Sequence, residues 1–208
     1  MAEIRAVVFD IGNVLVEWHP ERAFDRTIGP ARREALFAGV DLDTMNARVD
    51  MGEEIADVVA ETAAAHPEFS DDILLWHKNW LDMFWPAIPR SVTMLKALRA
   101  RGVPVFALSN FGTSTLELSE RYYPFLLDFD RRFVSGHLAM MKPDPALYAH
   151  VEAETGVAPE GLFFIDDRAE NIAAADTRGW GTHLFDGPQG LADRMLAEGL
   201  LDASEVGR

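Results

Sequence analysis

Short apolar runs rich in β-branched and aromatic residues alternate with stretches whose apolar positions recur at helical spacing, but the alternation is uneven. Ile4–Asp10 reads as a buried first strand. From Pro20 to Trp85 no strand follows. The spacing there predicts helices over Glu21–Ile28, Ala31–Phe37, Thr44–Val49, Glu53–His66 and Asp71–Phe84. The cluster Trp85-Pro86-Ala87-Ile88-Pro89 breaks this series. A regular alternation then runs on: helix Ser91–Arg101 closed by Gly102, strand Val103–Leu108, helix Thr113–Arg121 and strand Arg132–Ser135. Helix Pro145–Thr155, strand Leu162–Ile165, helix Ala169–Arg178 closed by Gly179, strand Thr182–Phe185 and a C-terminal helix complete it. Strand–helix alternation predicts an α/β fold, a doubly wound Rossmann-like parallel sheet with helices on both faces. The helical block is then an insertion after the first strand. Residues 1–16 and 89–208 form the expected core and residues 17–88 an α-helical cap, while Asp202–Arg208 are expected to fray.

Composition narrows the partners. The 208 residues suit one sizeable domain, or a core with a smaller insertion. Lysine and arginine number 19 against 34 acidic residues, a formal charge of −15, so the surface repels phosphate backbones. Nucleic acid and anionic membranes are therefore not expected partners. A small anionic substrate remains compatible if a bound cation or an aimed lysine reverses the field locally. The absence of cysteine excludes disulfides, thiolate metal sites and cysteine nucleophiles. The N-terminal apolar run is too short to span a bilayer and reads as a strand. The expectation is a cytoplasmic protein, monomer or homodimer.

In an open parallel sheet, ligands bind beyond the carboxyl ends of the strands. The first strand ends in Asp10, and an apolar strand ending in a lone carboxylate is unfavourable unless that group finds a metal, a hydrogen-bond network or a substrate. The strand Val103–Leu108 ends in Ser109-Asn110, and Leu162–Ile165 ends in Asp166-Asp167, followed by Asn171. Lys142 stands just before a helix that proline opens. Asp10 with one or both of Asp166 and Asp167 makes an all-oxygen site suited to Mg²⁺. Such an ion screens a phosphate from the carboxylate attacking it, which permits an aspartyl-phosphate on Asp10. Ser109 and nearby backbone N–H groups can hold phosphate oxygens, and Lys142 compensates the combined charge.

Four ordered segments carry a family resemblance: Phe9-Asp10-Ile11-Gly12-Asn13-Val14-Leu15, Leu108-Ser109-Asn110, Lys142-Pro143-Asp144-Pro145 and Phe164-Ile165-Asp166-Asp167. Together they resemble the motifs of the haloacid dehalogenase-like hydrolases of the helical-cap type (subfamily IA). The resemblance covers nearly the whole chain and includes the position of the helical block. It implies that Asp10 is nucleophile and metal ligand, that Gly12 lends a carbonyl to Mg²⁺, and that Asp167 ligates the ion, with Asp166 acting directly or through water. It further implies that Ser109 and Asn110 lie at the phosphate and that Lys142 bridges nucleophile and phosphate.

The chain departs from that pattern at one place. Most phosphatases of this type carry an acid two residues after the nucleophile, for protonating the leaving group and then activating water; Gly12 has no titratable side chain. The motif set is most similar to a bacterial branch that includes sugar-phosphate phosphatases of the α-glucose-1-phosphate type, so hydrolysis of a small phosphate monoester is the expected activity. Glu17 or His19, at the start of the cap, would then stand in for the acid or bind substrate. A metal-independent 2-haloacid dehalogenase using Asp10 is the alternative, disfavoured by the Asp166-Asp167 pair. A non-catalytic protein binding a phospho-ligand or a protein is the other. Trp76, Trp80, Phe84 and Trp85 recur at helical spacing and read as packing before a sugar-stacking face. Tyr148 reads as packing, and His66, His77, His137, His150 and His183 show no ligand spacing.

Overall fold

A computed structural model describes residues 3–207. The first strand, β1 (Ala6–Phe9), is buried on both faces, as its unbroken Ala-Val-Val-Phe requires. A short strand β2 (Val16–Trp18) leads into the helical insertion: α1 (Pro20–Ile28), α2 (Pro30–Gly39), α3 (Leu42–Asp50), α4 (Ile55–Ala65), α5 (Ser70–Lys78) and α6 (Trp80–Met83). Strand β3 (Phe84–Ala87) returns the chain and pairs antiparallel with β2. The core resumes with α7 (Pro89–Ala100), β4 (Val105–Ser109), α8 (Thr113–Tyr122), β5 (Arg131–Val134), α9 (Ser135–Leu138) and α10 (Pro145–Thr155). It ends with β6 (Leu162–Asp166), α11 (Ala169–Thr177), β7 (Gly181–Leu184) and α12 (Pro188–Ala197).

The main sheet is five-stranded, parallel throughout, in the order β5-β4-β1-β6-β7. The chain fills one side of β1 and then crosses back to fill the other. The carboxyl end of β1 is therefore the switch point at which such sheets form a crevice. Alternation along β1 sends Val7 and Phe9 to one apolar core and Ala6 and Val8 to the other. The first core is continuous with the insertion, taking in Phe24, Leu36, Trp76 and Trp80. The second packs Leu147, Tyr148, Val151 and Trp180 under α10 and α11. No described helix is long and apolar enough to cross a membrane.

Three local expectations are corrected. The single helix expected over Asp71–Phe84 is two, α5 and α6, separated at Asn79, whose φ −110 and ψ 26 leave the helical region. The segment read only as a breaker, around Trp85, begins with β3, because Phe84 and Ala87 pair across to Trp18 and Val16. Of the segment expected to fray, Arg208 lies outside the described residues and 202–207 are tied down: Val206 is buried, its carbonyl accepts from Arg90 Nε at 2.9 Å, and Arg101 reaches Asp202 and Glu205.

Candidate active site

Asp10, Ser109, Lys142, Asp166 and Asp167 arrive together at the carboxyl ends of β1, β4 and β6 and the approach to α10. β1, β4 and β6 are hydrogen-bonded neighbours, so residues that follow them share one edge. Lys142 is delivered by the loop before α10, which starts sharply because Asp144 caps Ala146 N–H and Pro145 occupies the first turn.

Three donors converge on one oxygen of Asp10. Oδ1 accepts from the Ile11 backbone N–H at 2.7 Å and Ser109 Oγ at 2.8 Å, and lies 2.9 Å from Lys142 Nζ. Asp10 and Gly12 both line the cavity; Oδ2 receives no hydrogen bond among the described residues, and the Gly12 carbonyl likewise has no donor. Burial pushes the Asp10 carboxyl up to about 7; Lys142 opposes that shift and the charge of Asp166 adds to it. Burial also works against the Lys142 ammonium, but Asp10 and Asp166 together outweigh it and hold the lysine above its ordinary value.

Asp166 is a different group from Asp167. It is fully buried, and Oδ2 lies 2.6 Å from Lys142 Nζ while Oδ1 accepts from Arg168 N–H at 2.8 Å. Asn171 Nδ2 donates to both oxygens, at 3.0 and 3.1 Å. With both oxygens engaged, Asp166 anchors the lysine. Asp167 is half-buried and borders the cavity, with Oδ2 accepting from Asn13 Nδ2 at 2.9 Å. Burial raises its carboxyl, and the bond from Asn13 opposes the rise. Asp10, Asp166 and Asp167 each offer an oxygen within 4.8 Å of the others. An unbonded Asp10 Oδ2, an unbonded Gly12 carbonyl and Asp167 are hard oxygen donors, a set that fits Mg²⁺.

Asn110 lines the cavity, but its amide clamps the backbone of Lys142: Oδ1 accepts from Lys142 N–H at 2.8 Å and Nδ2 donates to its carbonyl at 3.0 Å. It positions the lysine. Glu17 and His19 are not brought to the cavity. Along β2 successive side chains take opposite faces, so Trp18 borders the cavity while Glu17 turns away to Arg22 at 2.7 Å. His19 lies 3.6 Å from Glu17, on that outer side. Tyr148 packs, its hydroxyl donating to the Asn171 carbonyl at 3.1 Å.

Sequence reasoning missed two residues here. Asn13 takes a left-handed φ of 55, which asparagine tolerates better than most side chains, and links Asp167 to the Trp18 N–H at 2.8 Å. An asparagine directly after Gly12 was the available signal. Asp50, the last residue of α3, also borders the cavity, and no local motif marks it.

The cavity itself measures about 850 Å³ and lies between the strand ends and the insertion. Its deep wall carries Trp18, Val40, Leu42, Trp76, Trp80 and Phe111. Glu21, Asp41, Asp43, Thr44 and Arg168, all exposed, form its rim. Trp18 packs tilted against Trp80 at 4.9 Å and edge-on against Trp76 at 5.9 Å between ring centroids, so the aromatic group is both packing and wall. Trp85 is exposed and outside the cavity.

Residues 4–176 match the haloacid dehalogenase-like hydrolase family. The sesquiterpene phosphatase astK of Aspergillus oryzae is 34% identical over 99 residues, 47% of this chain and 50% of that protein. This chain thus matches about half the length of that curated relative. Among solved structures, a predicted HAD-like family hydrolase from Porphyromonas gingivalis superposes with a TM-score of 0.72 at 24% identity, covering 94% of this chain and 98% of that one. The HAD family enzyme bt-2542 of Bacteroides thetaiotaomicron, in complex with magnesium and inorganic phosphate, superposes with a TM-score of 0.67 at 22% identity, covering 88% and 95%. At these identities the two structures establish a shared fold.

Proposed function

Because the chain belongs to the haloacid dehalogenase-like hydrolases, we propose that it is a phosphatase, hydrolysing a small phosphate monoester through an aspartyl-phosphate on Asp10. The observation that carries this reading is the convergence of Ser109 and Lys142 on a single oxygen of Asp10, which leaves the other oxygen of this cavity-lining residue without a hydrogen bond among the described residues. Asp10 attacks phosphorus. Lys142, held by Asp166 and by the Asn110 clamp, offsets the negative charge of nucleophile and phosphate, and Ser109 holds the nucleophile's orientation. Mg²⁺, held by Asp10, the Gly12 carbonyl and Asp167, would lower the repulsion between phosphate and carboxylate. Residues 17–88 act as a cap that closes over the alcohol half of the substrate and excludes water.

The alcohol is read from the wall. On the insertion side most polar side chains sit at the exposed rim, with Asn46 and Asp50 the inward exceptions, whereas Trp18, Val40, Leu42, Trp76 and Trp80 make an aromatic and aliphatic wall. That distribution favours an alcohol with a hydrocarbon body, such as a prenyl alcohol, over the sugar that the motifs alone suggest. The partial match to a sesquiterpene phosphatase is in keeping with it.

The test is phosphate release, with and without Mg²⁺, from a panel of prenyl monophosphates and sugar phosphates. Turnover of prenyl esters that EDTA and Asp10→Asn abolish is expected. Preference for sugar phosphates would overturn the substrate class, and halide release from a 2-haloacid without metal would overturn the reaction.

A further inference from the structure

Gly12 leaves an unfilled place in the cavity. A Cβ built there meets nothing within 4 Å, and its backbone is not in the left-handed region. The proton donor absent from this position is needed on the far side of phosphorus from Asp10, because attacking and leaving oxygens lie roughly in line. That far side belongs to the insertion. Among the described residues, the carboxyl it brings to the cavity away from the exposed rim is Asp50, since Glu21, Asp41 and Asp43 are exposed and Asp41 is engaged in capping α3.

Asp50 is held by the core although it belongs to the insertion. Ser135 Oγ, which accepts from Phe111 N–H at 2.9 Å, donates to the Asp50 carbonyl at 2.5 Å. Glycine allows the approach on both sides of this contact. A Cβ at Gly112 would fall 2.6 Å from Val49 Cγ1, and one at Gly52 would fall 2.6 Å from the Gly136 carbonyl oxygen. The end of α3 is thereby docked on the loop that follows β4 and on α9, next to the Ser109-Asn110 segment.

The carboxyl has hydrogen-bond donors but no paired countercharge. Asn46 Nδ2 donates to Oδ2 at 3.0 Å and the Gly112 backbone N–H faces the carboxylate, yet Asp50 forms no ion pair among the described residues. Arg48 of the same helix turns away to Glu53 and Glu61, Glu54 accepts from Ser114, and His137 of α9 is exposed. The charges acting on Asp50 across the cavity are Asp10 and Lys142. Burial first, and then the charge of Asp10, push its carboxyl up to about 7, which matches a group that must both give and take a proton near neutrality.

We propose that Asp50 is the general acid and base of this phosphatase, doing from the insertion what residue 12 cannot. The inference rests on the phosphatase reading above. In the first step the Asp10 carboxylate oxygen bonds to phosphorus and the ester P–O bond breaks. Asp50 gives its proton to the departing oxygen, releasing the neutral alcohol and leaving an aspartyl-phosphate. In the second step a water oxygen bonds to that phosphorus as Asp50 takes one of its protons. The Asp10–phosphorus bond breaks, and inorganic phosphate leaves with Asp10 ionised and Asp50 protonated again. An alkyl alcohol is a poor leaving group, so the apolar wall and the need for this acid go together.

The experiment compares wild type, Asp50→Asn, Asp50→Glu and Asp50→Asn with Gly12→Asp, using the full chain with Mg²⁺. The substrates are a prenyl monophosphate and p-nitrophenyl phosphate, whose leaving group departs without a proton. Asp50→Asn is expected to lower kcat on the prenyl ester by about 10²–10⁴-fold, the usual worth of a general acid or base. It should also remove the falling limb of kcat/KM above pH 7. With p-nitrophenyl phosphate it should give a burst of one nitrophenolate per protein, because the phosphoryl-enzyme forms and then waits. Asp50→Glu and added Gly12→Asp should each restore part of kcat. Unchanged kcat and pH profile in Asp50→Asn, or a loss confined to KM, overturns the assignment of Asp50 and leaves the phosphatase reading standing. A folded wild type that releases no phosphate from any ester overturns both.

Discussion

Replacing Asp10 with asparagine should abolish the chemistry and, without metal, stabilise the fold at alkaline pH. Ile11 N–H, Ser109 Oγ and Lys142 Nζ all address Oδ1, so an amide can turn its oxygen to the three donors and its NH₂ to the cavity. The hydrogen bonds persist; what leaves is charge. In the wild type two buried carboxylates, Asp10 and Asp166, share one ammonium, whereas Asp10→Asn leaves Lys142 and Asp166 as a one-to-one pair at 2.6 Å. Asp10 is raised from 3.8 to about 7, so the folded protein keeps a proton that the unfolded chain has already lost. Stability from this group is complete below the unfolded value and is lost as pH rises through the folded one. The loss by pH 8 amounts to about 4 kcal/mol, since each tenfold change in a proton-binding constant is worth about 1.4 kcal/mol. For a chain of this length, about 2–4 °C per kcal/mol makes that about 8–16 °C in Tm. Thermal unfolding in EDTA from pH 4.5 to 8.5 measures it. Asp10→Asn should melt well above wild type at pH 8 and converge with it towards pH 4.5, and Mg²⁺ should raise the Tm of wild type alone. A difference at pH 8 that is absent, reversed or independent of pH would refute the charge argument.

Asp166→Asn should do the opposite. Its two oxygens accept from Lys142, Arg168 N–H and Asn171, so an amide must turn its NH₂ towards a donor. A loss of about 1.5–3 kcal/mol is expected by urea unfolding, and an unmoved midpoint would count against the anchoring role. Gly112→Ala places a Cβ against Val49 and should destabilise by about 1–3 kcal/mol, whereas Gly12→Ala fills open space and should leave Tm nearly unchanged; equal effects would sink the docking described for α3. Asn13→Ala removes the bonds to Asp167 and to Trp18 N–H and should weaken Mg²⁺ binding by about 10–100-fold in calorimetry, a reading that an unaltered Kd would defeat.

Much of this site was legible because it is local. An apolar strand that ends in a carboxylate, as Val7-Val8-Phe9-Asp10 does, states both its burial and its chemistry within a few residues, and parallel pairing of β1 with β4 and β6 brings the other ends to it. The cap residues follow no such rule. Glu17 and Trp18 are adjacent, and only the pairing of β2 with β3 decides that tryptophan faces the cavity and glutamate does not. Asn79 breaks a helix whose apolar spacing continues across it. Asp50 lies furthest from any local signal. Its place depends on the end of α3 meeting the loop after β4 and α9, some tens of residues away, at contacts that Gly52, Gly112 and Gly136 keep open. Each of those glycines alone looks like an ordinary turn former.

The same contrast explains why the absence at Gly12 was visible and its counterpart was not. A side chain missing from a strand-end motif is a one-dimensional fact. The group able to supply its proton is defined by position across the phosphate from Asp10, and that is set by the packing of two layers. An acid carried on the cap has a consequence that one fixed beside the nucleophile lacks. If α3 leaves the Gly112 seam, Asp50 leaves the leaving group, and acid assistance fails while Asp10, Ser109 and Lys142 remain in place. Coupling proton transfer to closure in this way would confine fast hydrolysis to substrates under which the insertion is seated. An open site would phosphorylate Asp10 slowly if at all, which protects the nucleophile from solvent-borne esters that do not fill the apolar wall.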